Sequence, residues 1–382
     1  MKYVLNGVET NNKGAEIMLY AILQEIERRD KDAVVYLCNI PQGTGYIDTS
    51  LKIKQKPVWN IRRIISKIPY LSLAIGLSRL SYFLRDVYSV GKIDYFLDGS
   101  GFCISDKWNT TNQEVRDWTT LLRKSKRDGA KIIFLPQGFG PIEQENNKKL
   151  LSTWNKYGDL IISRDRLSYK YIEDTRLADM NKVKLYTDFT SLVEGVYPEG
   201  YEHLKGAVCI IPNVRMLDMG TGITWNEYLK FVEEIVKTVK GQGHKVYLLN
   251  HEGSGDESLA YKFQKALGGD IEVVTGLKGV NVKGIISEAH LVITSRFHGV
   301  ASALNSCVPC LSTSWSHKYS ELYKDYGLED GVLHIKDVNE SVARVKQYLD
   351  DNYSREIRKK LSIVVPKIKE ETQQMWKEVW SA

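Results

Sequence analysis

The chain has 382 residues, of which 43% are hydrophobic, and its net charge is +6. A single core stops growing well below this length, so two domains are expected. The 53 basic and 47 acidic side chains are spread along the sequence, unlike the concentrated basic face of a duplex-DNA binder. We therefore expect no nucleic-acid partner; an anionic small substrate or an anionic membrane surface fits better.

Short apolar runs alternate with helix-like segments along the whole chain. The first half contains KYVLN, AVVYLC, IDYFLDGSG, KIIFLPQG, DLIISRD and VKLYTD. The second half contains AVCIIP, KVYLLN, IEVVTG, HLVITS, PCLSTS and GVLHI. This alternation predicts an α/β protein with two Rossmann-like domains, each built on a parallel sheet.

A stretch containing glycine and proline, residues 194–200, separates the two series of runs. We predict an N-terminal domain over residues 1–195, a C-terminal domain over 203–352 and a C-terminal helix over 353–382. This helix pattern contains Pro366, so the helix is expected to bend and to pack back across the domains.

Residues 57–86 depart from the alternation. They combine Trp, Ile, Leu, Tyr and Phe with five cationic side chains and one acid, Asp86. This composition is typical of helices that lie in a membrane interface. A helix pair packed on the first sheet, with a basic outer face, is the simpler explanation. Because the sequence shows neither a signal-peptide pattern nor an apolar run of about eighteen residues, we expect a cytoplasmic protein, peripheral to the inner face of the membrane if the segment binds lipid.

Five cysteines lie scattered along the chain, an odd number for a secreted disulfide framework. Cys307 and Cys310 have the C-x-x-C spacing of a redox or zinc pair, but no second pair completes a zinc site. Ordinary core thiols and no metal site are therefore expected.

Ligands of open parallel sheets bind beyond the carboxyl ends of the strands. The polar stretches that follow the apolar runs are NNKGAE, DGSGF, PQGFGP, SRDR, TD, NHEGS and SRFH. A glycine-rich turn is usually only a turn, so none of these stretches is a strong signal alone. Neither a Walker sequence nor G-x-G-x-x-G follows the first strand, which disfavours an ordinary nucleoside triphosphatase or dinucleotide enzyme.

Two of these stretches place an arginine at the start of a helix, where the helix dipole disfavours cations. Arg164 follows Ser163 and Arg296 follows Ser295, and each serine is a candidate cap of its helix. The cations suggest a bound anion. Pairing with a carboxylate is the alternative, with Asp165 adjacent to Arg164 and no acid close to Arg296 in sequence.

The stretches NNKGAE, DGSGF, LPQGFGP, SRDRLSYKYI, TDFT and SRFHGVASALNSCVPCLS, in this order, resemble the polysaccharide pyruvyl transferase family. The resemblance covers residues 3–335 and is strongest in SRDRLS and SRFHG. The chain departs from the family pattern at DGSGF, where members often have three consecutive glycines. It also departs at TDFT, where an Asp-Pro turn is common.

The resemblance implies a fold like that of the two-domain glycosyltransferases called GT-B, with a cleft between the two Rossmann-like halves. It implies phosphoenolpyruvate as the donor, bound by the C-terminal domain, and a sugar as the acceptor, lipid-linked or soluble, on the N-terminal domain. The implied product is a pyruvate ketal on two hydroxyls of one sugar, made by a transferase of class 2.5.1 in cell-surface polysaccharide biosynthesis. No metal or bound cofactor is expected.

The family's essential arginine and histidine correspond to Arg164 and His298. Arg296, Phe297 and Gly299 are expected at the donor beside the histidine. Candidate acceptor-binding or cleft-lining residues at the strand ends are Asn11, Lys13, Asp98, Gly99, Gln137 and Asp188. Histidine suits the reaction because the methylene of phosphoenolpyruvate must be protonated by an acid whose pKa lies in the working range.

Three alternatives stay open. A GT-B glycosyltransferase that uses a nucleotide-sugar would bind its diphosphate at the same basic helix starts. A catalytically silent glycan- or phosphate-binding protein is a second alternative, although Arg164, Arg296 and His298 count against it. His298 itself has a structural alternative, as a core histidine bonded to a backbone carbonyl.

Overall fold

The computed structural model describes residues 1–38, 40–55 and 91–382. The membrane-contact hypothesis for residues 57–86 lies outside these described residues. In the described ranges, none of the helices has the length and apolar character needed to cross a membrane.

Strands and helices alternate along the described chain. The strands are β1 (Lys2–Asn6), β2 (Val34–Leu37), β3 (Lys52–Gln55), β4 (Tyr95–Asp98), β5 (Lys131–Gln137), β6 (Leu160–Ser163), β7 (Val183–Leu185), β8 (Val208–Ile211), β9 (Val246–Leu249), β10 (Glu272–Val274), β11 (Leu291–Thr294), β12 (Cys310–Thr313) and β13 (Val332–Leu333). The helices are α1 (Lys13–Arg29), α2 (Asn112–Arg127), α3 (Glu145–Tyr157), α4 (Arg166–Thr175), α5 (Arg215–Asp218), α6 (Trp225–Gly241), α7 (Gly253–Ala266), α8 (Gly279–Ser287), α9 (Phe297–Asn305), α10 (Lys318–Asp325), α11 (Val338–Leu349) and α12 (Asp351–Ser381).

The chain divides into two compact units. The first comprises Met1–Glu9, Ile22–Tyr186 and Lys377–Ala382. Its seven described strands form one parallel sheet in the order β3-β2-β1-β4-β5-β6-β7. The strand order reverses between β1 and β4, and ligands of such sheets bind where the order reverses.

Strand β3 is the element of the first sheet that the sequence analysis missed. Its residues, KIKQ, are mostly exposed, because the strand lies at the edge of the sheet. An edge strand with polar side chains has no apolar run to mark it. The other six strands of this sheet coincide with the predicted runs.

The second unit comprises Thr10–Ala21 and Thr187–Trp376. Its six strands form a parallel sheet in the order β10-β9-β8-β11-β12-β13. The order reverses between β8 and β11. The prediction of two Rossmann-like domains with parallel sheets is confirmed. Residues 10–21 belong to this unit although they follow β1 directly in the chain.

Local sequence explains where several helices begin. Thr111 and Glu114 form a capping box at the start of α2, and Thr224 and Glu227 form another at α6. In each box the threonine oxygen accepts from the backbone of the glutamate, whose carboxylate accepts from the backbone of the threonine. The T-x-x-E spacing that produces these boxes is visible in the sequence.

The long C-terminal helix α12 contains Pro366, as predicted. Its residues up to Trp376 belong to the second unit and the remainder to the first. In the second unit, the ring of Trp376 packs edge-on against Phe189 at 5.9 Å between centroids. In the first, Trp380 packs edge-on against Tyr95 at 5.4 Å.

Candidate functional site

Helix α9 begins directly behind β11, at the point where the second sheet reverses its order. The helix starts at Phe297, which puts His298 in its first turn, as the sequence predicts. A Cβ added to Gly299 would lie 2.5 Å from Thr294 Oγ1 and 3.3 Å from Ile211 Cδ1. Glycine therefore lets the first turn of α9 sit directly on the sheet.

The predicted cap of this helix is wrong. The N-cap residue is Arg296 rather than Ser295, and the Arg296 N–H donates to Thr294 Oγ1 at 3.0 Å. The Ser295 hydroxyl lies 2.6 Å from Thr313 Oγ1 instead, between two neighbouring strands. Ser295 thus joins strand ends and leaves the helix start without a side-chain cap.

The imidazole of His298 is held between a glycine and a carboxylate. On one side, a Cβ added to Gly14 would overlap Nδ1 and come within 2.7 Å of Cγ. On the other, Nε2 lies 3.4 Å from Asp188 Oδ2. The side chain as a whole is 12% exposed. A carboxylate at this distance stabilises the protonated ring.

Asp188 is itself anchored. It is 2% exposed, and its other carboxylate oxygen accepts from the Thr190 N–H at 3.0 Å and from the Thr190 hydroxyl. Lys283 of α8 donates to the Thr190 carbonyl at 2.9 Å. Burial lowers the pKa of Lys283 to about 8, and the charge of Asp188 works against that shift. The carboxylate that faces His298 therefore also interacts with a buried ammonium group.

Arg296 is paired with acids, which is the alternative that the sequence left open. Its Nε donates to Asp256 Oδ2 at 2.7 Å, and its Nη2 lies 2.7 Å from Asp256 Oδ1. Its Nη1 pairs with Glu252. Both acids come from the start of α7, some forty residues earlier, at 252 and 256. Adjacency in sequence could not reveal partners from another strand end.

The stretch after β1 lies against the start of α7. Asn12 Oδ1 accepts from the N–H of Gly14 at 2.9 Å and of Ala15 at 3.3 Å, so Asn12 caps α1. The Asn12 amide donates to Glu252 at 3.0 Å. Glu252 thus links the cap of α1 to Arg296.

Lys13 and Asn11 also contribute to this contact. The backbone N–H of Lys13 donates to the His251 carbonyl at 3.1 Å, and the Asn11 carbonyl accepts from Gly253 at 3.3 Å. The Lys13 ammonium is 2.8 Å from Glu16, whose side chain is fully buried. Lys13 therefore lies within the same cluster as His298, but its charge is already balanced by an acid.

His251 is a member of the cluster to which the sequence assigned no role. It is 1% exposed, and within the described chain neither ring nitrogen makes a hydrogen bond. Burial lowers its pKa well below 6.5, and the charges of Arg296, His298 and Lys13 lower it further. The ring is therefore a neutral group beside several cations. Its stretch, NHEGS, appeared among the strand ends, but nothing in the sequence distinguished this histidine.

Lys318 is a second residue that the sequence missed. Its ammonium lies 5.5 Å from the ring centroid of Phe297 and 4.2 Å from that of Trp315. It therefore brings a cation next to the first turn of α9. Lys318 lies beyond β12, which ends at Thr313, and so outside the polar stretches that directly follow the predicted strands.

In the first unit, Asp98 and Gln137 form a buried network at the reversal point of the sheet. Both are 0% exposed, and the Gln137 amide donates to Asp98 at 3.2 Å. Asp98 also accepts from Asn6 and from the Ser100 hydroxyl, each at 2.8 Å. Burial raises the pKa of Asp98. The structure thus gives these two predicted cleft-lining side chains hydrogen bonds to protein groups.

Gly99 is glycine for a local reason. A Cβ there would lie 2.7 Å from Val8 Cγ1. The close approach that this position permits is therefore to the neighbouring chain segment of the first unit.

Arg164 lies at the end of β6 and is 5% exposed. Its backbone N–H donates to the Gln137 carbonyl at 2.9 Å. The predicted cap Ser163 is wrong here too, because Asp165 caps α4 by accepting from the Ser168 N–H at 2.7 Å. The acid next to Arg164 in sequence is therefore used to begin the helix.

The five cysteines are free thiols. Burial raises the pKa of Cys310 to about 12 and also raises that of Cys307. A buried thiol that keeps its proton is a poor nucleophile and a poor metal ligand.

Comparison with known families agrees with these motifs. The family model described as polysaccharide pyruvyl transferase matches residues 12–317. No curated protein sequence matches the chain.

Solved structures share the fold at low identity. The Anabaena protein HepE, in complex with UDP and glucose, is 9% identical with a TM-score of 0.60, and the match covers 100% of both chains. The UDP-GlcNAc 2-epimerase of Neisseria meningitidis, bound to UDP-GlcNAc, is 12% identical with a TM-score of 0.58 over 100% of both chains. A glycosyltransferase of Rickettsia africae is 11% identical with a TM-score of 0.56, covering 99% of this chain and 98% of the other. At such identities the likeness shows the fold alone, which is that of GT-B glycosyltransferases and UDP-sugar epimerases.

Proposed function

The chain belongs to the polysaccharide pyruvyl transferase family, and from that premise we propose that it moves the enolpyruvyl group of phosphoenolpyruvate onto two hydroxyls of one sugar. The family makes it a transferase of polysaccharide modification. The donor, the ketal product and the roles of individual residues are parts of the proposal.

One observation carries the proposal: His298 lies in the first turn of α9 with Asp188 Oδ2 3.4 Å from its Nε2. A histidine beside a buried carboxylate is suited to hold a proton and to deliver it. Gly14 leaves room for the ring to pack against the start of α1. The donor reaction needs such a group, because its reactive carbon becomes electrophilic only when the neighbouring methylene is protonated.

The start of α9 also suits an anionic donor. The first turn of a helix presents N–H groups with no carbonyl one turn earlier, and its dipole favours negative charge. Lys318 adds an ammonium group beside Phe297 of this turn. Arg296 is bound to Asp256 and Glu252, so it holds these acids and the start of α7 in place.

The proposed reaction balances without an oxidant or a reductant. His298 gives its proton to the methylene carbon, which becomes the methyl group of the product. One sugar hydroxyl adds to the adjacent carbon and its proton returns to the histidine. The second hydroxyl closes the ring as inorganic phosphate leaves with the remaining proton. The products are the pyruvate ketal and phosphate.

Arg164 is the other residue that the resemblance assigns to catalysis, and this role stays a prediction. A forked guanidinium binds a carboxylate or phosphate through two parallel hydrogen bonds, which a lysine cannot reproduce. Arg164→Lys should therefore lose most of the activity that Arg164→Ala loses. Equal affinity of Arg164→Ala and wild type for phosphoenolpyruvate would remove Arg164 from the donor.

The decisive experiment incubates the purified chain with phosphoenolpyruvate and a panel of lipid-linked and soluble galactosides and mannosides. We expect phosphate release that depends on the sugar, and a product heavier than the acceptor by one pyruvic acid less one water. His298→Ala protein prepared in parallel controls for contaminating enzymes. Consumption of a UDP-sugar, with no release of phosphate from phosphoenolpyruvate, would establish a nucleotide-sugar transferase instead.

A further inference from the structure

A cavity of about 390 Å³ opens in the first unit, in the chain that follows β4. Pockets that bind small molecules typically measure about 300–1,000 Å³. Its walls include the side chains Phe102, Lys107, Trp108, Asn109, Glu114 and Trp118. None of them belongs to the acceptor-binding residues predicted from the sequence.

The aromatic walls of the cavity are held rigidly. The Trp108 indole donates to the Phe102 carbonyl at 3.1 Å, and the two rings meet edge to face with centroids 5.6 Å apart. Trp118 packs against the buried Trp154, with ring centroids 5.2 Å apart. Rings fixed in this way offer flat apolar surfaces at little cost in side-chain entropy.

Polar groups stand beside these rings. Asn109 and Lys107 are exposed at the cavity, and both can donate hydrogen bonds. Glu114 accepts from the N–H and the hydroxyl of Thr111 and also borders the cavity. The cavity thus combines flat apolar walls with a few hydrogen-bond donors and acceptors.

The cavity is next to Arg164. Gly138 separates them: a Cβ at this position would lie 3.1 Å from Phe102 Cδ2 and 3.5 Å from Arg164 Nη2. Phe102 therefore borders both the cavity and the space beside the guanidinium. The arginine that the family resemblance assigns to catalysis thus has a small-molecule cavity as its neighbour within the first unit.

A pyranose ring matches this chemistry. Its C–H faces are apolar and stack on aromatic rings, whereas its hydroxyls project from the edge and both donate and accept. A phosphate would meet the carboxylate of Glu114, and an alkyl chain would offer no hydrogen bonds to Asn109 or Glu114. A neutral sugar can stack on the aromatic rings and form hydrogen bonds with the polar side chains.

We propose that this cavity binds a sugar ring of the acceptor glycan, against Trp108 and Phe102 and with Asn109 bonded to its hydroxyls. The assignment to the acceptor rests on the proposed function. Sugar binding by the cavity does not, because it depends only on the rings and polar groups that line it.

The test is binding of methyl glycosides of glucose, galactose, mannose and N-acetylhexosamines to the full chain. Saturation-transfer NMR and calorimetry follow the binding, with no phosphoenolpyruvate present. We expect at least one glycoside to bind, and Trp108→Ala to weaken it by about tenfold or more. Trp108→Phe should retain most of the affinity because it keeps a flat ring.

Two further variants guard against misfolding and indirect effects. Asn109→Arg should fill the cavity and block binding while leaving the Trp108 hydrogen bond intact. Trp225→Ala removes a tryptophan of the second unit, where Trp225 packs on Phe263, and should leave sugar affinity unchanged.

The outcomes separate the two proposals. The sugar site is overturned if no glycoside binds wild type. It is also overturned if Trp108→Ala and Asn109→Arg bind the glycoside as tightly as wild type does. A second outcome is that the cavity variants lose sugar binding while wild type never releases phosphate from phosphoenolpyruvate. This outcome supports the sugar site and rejects the proposed transferase. A normal KM for the acceptor in Asn109→Arg rejects the acceptor role of the cavity alone.

Discussion

Asp188 Oδ2 lies 3.4 Å from Nε2 of His298, with the carboxylate buried and the imidazole partly accessible. Thr190 donates to the other carboxylate oxygen of Asp188, and the ring packs closely on Gly14. The pair thus brings together an anchored carboxylate and a closely packed imidazole. Such a carboxylate both orients the ring and favours its protonated form.

Asp188→Asn should keep the fold and lower kcat by about 10- to 100-fold, a share of the acid's usual contribution. The amide no longer stabilises the imidazolium, so the ring loses its proton at a lower pH. The alkaline limb of the profile of kcat against pH should therefore move toward acid. Phosphate release measured across pH tests this, with exposed Asp270→Asn as the matched control. An unchanged profile in Asp188→Asn would argue against the pair.

His298→Ala and His298→Gln should each fold, bind phosphoenolpyruvate and lose activity by at least about 100-fold, the usual scale of a general acid. Calorimetry with phosphoenolpyruvate separates the loss of chemistry from the loss of binding. His334→Ala is the matched control, since His334 is exposed and distant in sequence from α9. Turnover retained in either His298 variant contradicts the assignment.

The sequence predicts the two sheets well because buried parallel strands are continuous apolar runs bounded by turns. Edge strand β3 has no such run and was missed. The helix cap at Asn12 is a local feature, because its partners lie two and three residues away. Ser163 and Ser295 resemble caps equally well, but Asp165 caps α4, and α9 has Arg296 at its N-cap position without a side-chain cap.

The same limit applies to the candidate site. The family resemblance and the position behind β11 identify His298 as a candidate site residue. In the structure, His298 lies in the first turn of α9. The acids that bind Arg296 and the burial of His251 arise from packing of another strand end, so local sequence does not show them. Contacts between residues so far apart in sequence become visible only in the folded structure.

Gly14→Ala tests the fit of the imidazole directly. The new methyl group would overlap the ring of His298, so the ring or the start of α1 must move. We expect kcat to fall by about tenfold or more with a much smaller change in the affinity for phosphoenolpyruvate, because misplacement of a reacting group by about 1 Å is costly. Gly241→Ala is the control, since a Cβ there meets nothing within 4 Å. Normal kcat in Gly14→Ala would show that the ring tolerates displacement.

Arg296→Ala should destabilise the second unit as well as reduce activity. It leaves Asp256, which is 1% exposed, as a buried carboxylate without its guanidinium partner. Breaking a buried pair in this way costs about 3–5 kcal/mol. Thermal unfolding of Arg296→Ala and of Arg296→Ala with Asp256→Asn measures the effect, and the second change should restore part of the melting temperature. Equal melting temperatures of Arg296→Ala and wild type would mean that the ion pairs contribute nothing to stability.

His251 should make the stability of the chain depend on pH. Burial and the neighbouring cations hold its pKa well below 6.5 in the folded chain, whereas the unfolded chain takes up the proton near 6.5. As the pH falls below 6.5, the unfolded state therefore binds more protons, and the folded state loses stability at up to about 1.4 kcal/mol per pH unit. His251→Gln removes this term, so its melting temperature should fall less than that of wild type between about pH 7 and about pH 5. Exposed His334→Gln should follow wild type across the same range. Parallel losses in His251→Gln and wild type would show that this histidine is not the group that titrates.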